Sequence, residues 1–222
     1  MDPRQKERRF DNDWSEDELR DIYDDITSAV TIPVDIAIKG GHRILDMDKM
    51  GELLREAESI TIQDCGCRVR RGNCSAPLDV CLSLNEEAEQ MLKNGRDNPR
   101  RATLEEALDA LRRSHEAGLV HMAYTMEGED RPTTICSCCS CCCHTLSGLI
   151  RFGLAKHVVA SDKVAETDFS TCSNSGQCVE RCQFGAREMV DGKLIYDAER
   201  CFGCGLCVTT CPSGSIKLVE RA

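Results

Sequence analysis

The stretch Cys201-Phe202-Gly203-Cys204-Gly205-Leu206-Cys207-Val208-Thr209-Thr210-Cys211-Pro212 decides how the C-terminal part of this chain folds. Its spacing lets one tight loop wrap three thiolates around an iron–sulfur cube while the fourth is sent elsewhere. A disulfide knot or a zinc knuckle is the ordinary alternative. The glycines between the ligands and the proline after the fourth cysteine weigh against both.

Upstream lies a degraded copy, Cys172-x2-Ser175-x2-Cys178-x3-Cys182, followed by Gln183 in place of proline. The segments after each copy also correspond, Cys182-Gln183-Phe184-Gly185-Ala186 against Cys211-Pro212-Ser213-Gly214-Ser215. This internal repeat is the main organising signal of the sequence. Residues from about 165 to 219 resemble a bacterial-type two-cluster ferredoxin, a pseudo-twofold fold in which the fourth cysteine of each run ligates the other run's cluster. The resemblance implies one [4Fe-4S] cluster on Cys182, Cys201, Cys204 and Cys207. It leaves the other cluster with Cys172, Cys178 and Cys211, and with Ser175 where the family has its remaining cysteine. That departure implies a [3Fe-4S] cluster or a labile [4Fe-4S] cluster at this second site, with a damaged site as the third outcome.

The chain has 222 residues, enough for one ordinary domain and a small appended one. We expect an α+β fold with a Cys-rich domain over residues 1–160 and a ferredoxin-like domain over 161–222. The 17 cysteines are an odd number at high density. Nothing in the charged stretch from Met1 to Arg20 resembles an export signal, and Thr133 to Ile150 is too polar for a membrane span. The expectation is therefore reduced thiols serving as metal ligands in a cytoplasmic, low-oxygen setting. The net charge is −10, of which residues 161–222 carry only 7 basic and 9 acidic side chains. Such a surface argues against a nucleic-acid partner and suits steering toward a basic patch on a redox protein, although acidity also simply maintains solubility.

Ser15-Glu16-Asp17-Glu18 has the form of a capping box, predicting a helix from about 15 to 29. Further helices are expected over 46–58, 86–93, from Leu104 toward Gly118, and over 144–152. Strands are expected at Ile60–Ile62, Leu119–Met126, Thr133–Cys136 and His157–Ala160, with Ser161–Thr167 as the linker. In the C-terminal part a hairpin is expected across Asp191-Gly192 and a closing strand at Ile216–Val219.

Ten cysteines lie outside the repeat: Cys65, Cys67, Cys74 and Cys81, then Cys136, Cys138, Cys139, Cys141, Cys142 and Cys143. The two groups follow different predicted strands, and neighbouring strands would bring them face to face. Gly66 is expected to let the backbone turn so that its flanking thiolates converge. Arg68, Arg70 and Arg71 would offset thiolate charge or form a solvated basic loop. Adjacent residues of an extended chain point to opposite sides, so one centre does not use every member of the Cys138–Cys143 run. A further iron–sulfur cluster, zinc, and metal-free thiols all remain open here. This part also resembles iron–sulfur proteins of anaerobes in which a Cys-Cys-x-Cys-Cys-Cys run precedes a ferredoxin domain. His144 is expected to be an ordinary helix N-terminal residue before it is a ligand.

No dinucleotide loop, Walker loop, nucleophile elbow or H-E-x-x-H helix is present. The leading expectation is an electron carrier, or an electron-transfer subunit of an anaerobic oxidoreductase system, working with a redox partner or a separate catalytic subunit. The alternative is a cluster enzyme or redox sensor that uses the incomplete cluster or the N-terminal cysteines.

Overall fold

Ser15 and Glu18 exchange the two hydrogen bonds of a capping box, Ser15 N–H to Glu18 Oε2 at 2.9 Å and Glu18 N–H to Ser15 Oγ at 3.3 Å. They start α1 (Glu16–Tyr23). The computed structural model describes residues 12–23, 26–32, 35–39, 42–46, 48–126, 128–154 and 158–221. The chain continues through β1 (Ile26–Ile32), β2 (Asp35–Lys39), β3 (His42–Asp46), α2 (Asp48–Glu56), β4 (Ile60–Asp64), α3 (Gly66–Arg71), β5 (Asp79–Leu84) and α4 (Asn85–Asn94). Next come β6 (Arg100–Arg101), α5 (Leu104–Glu116), β7 (Val120–Met126), β8 (Thr134–Cys138), α6 (His144–Phe152) and β9 (Val158–Val159). The C-terminal part holds β10 (Lys163–Thr167), α7 (Gln177–Arg181), β11 (Arg187–Val190), β12 (Lys193–Tyr196), α8 (Leu206–Thr210) and β13 (Ile216–Glu220). The fold is α+β.

Among the described residues β6-β4-β5-β8-β7-β1-β9 form one sheet, antiparallel except for the β1–β9 pair at its edge. Alternation along the strands gives the sheet two different faces. Ile62, Leu82, Leu84 and Ile135 face α2 and α5 and pack against Met50, Leu54, Ala107 and Leu111. On the opposite face Met122, Tyr124 and Cys138 pack with Leu19, Tyr23 and Leu146 of α1 and α6. Phe184 and Leu206 join this second core from the C-terminal part. In that part β10 pairs with β13 and β11 with β12, as separate two-stranded sheets.

Two sequence expectations need correction. The first helix ends at Tyr23 instead of continuing to 29, because the β-branched run Ile26-Thr27-Ser28-Ala29-Val30-Thr31-Ile32 pairs with β7. The linker expected over 161–167 is also mostly strand. Lys163–Thr167 pairs with Ile216–Glu220 in full register, and Ala165 is buried between the clusters of cysteines. The helices of 86–93 and 104–116 form close to where capping predicts, with Thr103 and Glu106 completing a capping box. The β11–β12 hairpin turns through Asp191 and Gly192, both at positive φ. The strand expected from His157 begins in the described residues at Val158; His157 lies outside them, as does Met47 of the expected second helix. No helix among the described residues is long and apolar enough to cross a membrane.

Candidate metal centres

The two copies of the C-terminal repeat are built alike. Gly176 and Gly205 stand at equivalent positions before α7 and α8, at φ 75° and 77°. Only glycine adopts this conformation without strain, and it turns the chain so that the preceding ligand loop closes onto the helix. Cys182 and Cys211 then leave the two helices in matching extended conformations.

Cys182, Cys201, Cys204 and Cys207 line one cavity, with Phe184, Phe202, Leu206, Arg187 and Tyr196 among its walls. Cys172, Cys178 and Cys211 line a second, together with Ser175. Each cavity thus gathers residues from both copies. Phe184 and Phe202, both in the wall of the first cavity, stack at 4.6 Å. Ser175 is exposed, so the second cavity opens to solvent at that corner.

The donor set suits sulfide-rich clusters. The Ala186 N–H points at Cys182 Sγ, 3.3 Å away. Arg187 lies buried beside both cavities; burial alone would lower its pKa, but the thiols of Cys207, Cys178 and Cys182 hold it above the ordinary arginine value. One of its nitrogens, Nη2, is buried with no hydrogen-bond partner among the described residues. A guanidinium N–H left in that position has a natural acceptor in cluster sulfur.

The ten upstream cysteines sort into two sets. Cys74, Cys139, Cys141 and Cys142 are all buried, and their sulfurs lie within 4.8 Å of one another. The other six lie in one neighbourhood in which each thiol perturbs two others electrostatically: Cys65 with Cys67 and Cys81, Cys67 with Cys143, Cys143 with Cys138, Cys138 with Cys136, and Cys136 with Cys81, a closed ring of neighbours. Strand register explains much of the ring. Leu82 is opposite Ile135, which sets Cys81 beside Cys136, while Cys136 and Cys138 share one face of β8. Cys65 follows β4 directly, and Cys143 caps α6.

Arg68 lies between the two sets and is 2% exposed. Its Nε donates to Pro77 O at 3.0 Å and its Nη1 to Ser137 O at 2.8 Å, with Cys139 Sγ at 3.9 Å. Desolvation opposes its charge, but Cys65, Cys139 and Cys81 raise its pKa above the usual value. Of the basic loop expected here, Arg68 is interior and Arg71 covers the Trp14 ring at 3.6 Å while pairing with Glu18. Gly66 likewise departs from expectation. It begins α3 instead of turning the chain, and a Cβ there would lie 2.9 Å from Arg70 Nη1.

His144 is also more engaged than its sequence position predicts. Its Nδ1 lies 3.1 Å from Cys67 Sγ, and its ring meets Trp14 edge-on at 6.1 Å. Burial first, and Arg70 second, push its pKa down to about 4. The neutral ring is therefore the stable form.

Gln183 breaks the repeat where the second copy has proline, and nothing in its spacing marks it as a contact between the two parts of the chain. It is fully buried. Its Oε1 accepts from Ser140 N–H at 3.1 Å and Ser140 Oγ at 2.8 Å, and its Nε2 donates to Gly118 O at 2.8 Å. Arg181 caps the end of α5 through the carbonyls of Glu116 and His115. One turn containing Cys182 thereby joins the repeat to the Cys138–Cys143 run.

Comparison with known proteins agrees with the C-terminal motif. Residues 194–217 match the family described as 4Fe-4S binding domain. Two relatives in Methanocaldococcus jannaschii, both described as uncharacterized ferredoxins, share 32% identity over 72 residues and 40% over 48 residues. These alignments cover 31% of this chain and 48% of the first relative, and 22% of this chain and 29% of the second. The chain spans about half the length of the first relative and less of the second. Residues 194–217 carry a 4Fe-4S binding domain, and part of the chain is similar in sequence to proteins described as uncharacterized ferredoxins.

Proposed function

We propose that this chain is an iron–sulfur electron-transfer protein, acting as a carrier or as a subunit that serves a separate redox enzyme of an anaerobic system. Residues 161–222 form its two-cluster domain and residues 1–160 a Cys-rich domain with a further redox centre. The observation that carries this reading is the pair of cavities, each lined by cysteines from both copies of the repeat. Cys182, Cys201, Cys204 and Cys207 hold one [4Fe-4S] cluster, and Cys172, Cys178 and Cys211 hold a [3Fe-4S] or labile [4Fe-4S] cluster. Bound clusters supply one-electron exchange, with charge spread over several metal and sulfur atoms.

The protein's own residues tune and insulate that exchange. Arg187 offsets negative charge beside both sites, while Phe184 and Phe202 stack in the wall of the complete one. The six-thiol ring is the further redox centre in this account. Soft thiolates favour iron–sulfur binding, and six of them exceed what one tetrahedral ion takes. Cys138 and Cys143 of the ring share a core with Phe184 and Leu206, with Cys182 and Cys204 packed against it. That core offers a short, dry connection between the two halves.

Ser175 gives the sharpest test. A neutral hydroxyl is a poor iron ligand, and this one faces solvent, so the isolated protein should contain some [3Fe-4S] cluster. Electron paramagnetic resonance of the oxidised, anaerobically purified protein should detect it. Ser175→Cys should replace that signal with one from a reduced [4Fe-4S] cluster. A wild-type protein with two oxidation-resistant cubanes in this domain would refute the assignment.

A further inference from the structure

The geometry points to a single tetrahedral zinc ion held by Cys74, Cys139, Cys141 and Cys142, a structural site distinct from the iron–sulfur chemistry. This inference goes beyond the electron-transfer reading and does not depend on it.

The spacing of the sulfurs carries the argument. Cys74 Sγ lies 3.9 Å from Cys139 Sγ and 4.0 Å from Cys142 Sγ, and Cys141 Sγ lies 3.8 Å from Cys142 Sγ. Four sulfurs at a zinc–sulfur distance of ~2.3 Å form a tetrahedron with edges of about 3.8 Å. A cubane is a poor match, because its terminal thiolates are held apart by the whole iron–sulfur core. Disulfides are excluded at these separations, since an S–S bond is about 2.05 Å long. Among the described residues the six-thiol ring provides no such group, whereas here all four sulfurs lie within 4.8 Å of one another.

The surrounding chain is built to aim the four sulfurs inward. Asn12 donates to Ser140 O at 2.9 Å, Asn73 to Cys141 O at 2.8 Å, and the Trp14 indole to Cys142 O at 2.9 Å. Three consecutive carbonyls are thus bonded outward by side chains. The Cys143 N–H closes the turn onto Cys139 O at 2.9 Å. All four sulfur-bearing residues are buried, so the site offers a closed protein shell with no open position, the pattern of a structural zinc site.

The site also has a clear structural task. Cys138 and Cys143, at either end of the loop, both belong to the six-thiol ring, while the three cysteines between them face the proposed ion. An ion that pins residues 139–142 fixes the separation of those two ring members. It also fixes Ser140, through which Gln183 contacts the loop.

The test uses the full chain, purified anaerobically, with metal analysis and X-ray absorption at the zinc edge. We expect about one zinc per chain, surrounded by four sulfurs at ~2.3 Å with no nearby metal scatterer. Cys74→Ser with Cys142→Ser should lose the zinc, whereas Cys81→Ala in the ring should retain it. If the double variant does not fold, protein grown with cobalt(II) provides a second readout, the charge-transfer and visible bands of a tetrahedral tetrathiolate ion. Absence of zinc and of the cobalt bands, iron neighbours in the absorption data, a single iron in place of zinc, or zinc retained by a folded double variant would each overturn the proposal. Failure of the electron-transfer reading would look different, as zinc present without iron and sulfide.

Discussion

Cys182→Ala is expected to damage the cluster whose other three ligands lie in the second motif, although Cys182 belongs to the first. The residue leaves α7 in an extended conformation and shares its cavity with Cys201, Cys204 and Cys207. Alanine would remove one of the four soft ligands proposed for that cluster and the sulfur to which Ala186 N–H points. The cubane signal should disappear or convert to a three-iron form, with a loss of about one to four irons per chain. Cys204→Ala, on the other copy, should give the same spectral change. If Cys182→Ala instead alters only the signal that Cys172→Ala also alters, ligation does not cross between the copies.

The second large effect is expected at Arg68. Alanine would leave Pro77 O and Ser137 O without their buried donor, each at a cost of about 1–3 kcal/mol. It would also remove the fixed positive charge between two sets of thiols. A combined loss of roughly 3–5 kcal/mol is in the range for breaking a buried charged network. The thermal midpoint of the anaerobic protein should fall by about 10 °C or more. Arg68→Lys should recover only part of this, because one ammonium cannot span both carbonyls as the guanidinium does. A midpoint for Arg68→Ala within about 2 °C of wild type would show that its buried hydrogen bonds and charge do not hold the two thiol sets together.

The parts of this molecule that were legible in its sequence are those governed by local rules. Cysteine spacing marked the C-terminal motif, and Thr103 with Glu106 marked the start of α5. Ser175 stood out because the repeat supplied its own comparison. What remained hidden depends on pairing across long separations. The strand of Ile26–Ile32 forms because β7 lies beside it, and the strand of Lys163–Thr167 because β13 does. No local pattern separates the cysteines of the Cys138–Cys143 run into ring and tetrahedron. That division follows from β8 ending at Cys138, from the turn after Cys139, and from Cys74 and Cys81 arriving on other segments. Arg68 reads as one more residue of a basic stretch, and only the fold turns it inward. Gln183 reads as a lost proline until Ser140 is found against it.

The central claim is that cysteines in both halves of the chain hold iron–sulfur centres that exchange single electrons. Its most direct test is iron and acid-labile sulfide analysis of the full-length anaerobic protein, combined with a redox titration followed by electron paramagnetic resonance. We predict iron and sulfide above the about eight of each that two cubanes contain, with one-electron signals that persist in part when Cys172, Cys178, Cys201 and Cys204 are all replaced. Protein whose iron and reducible signals vanish completely in that quadruple variant would contradict a redox centre in the N-terminal half, and protein without iron or sulfide would contradict an iron–sulfur role altogether.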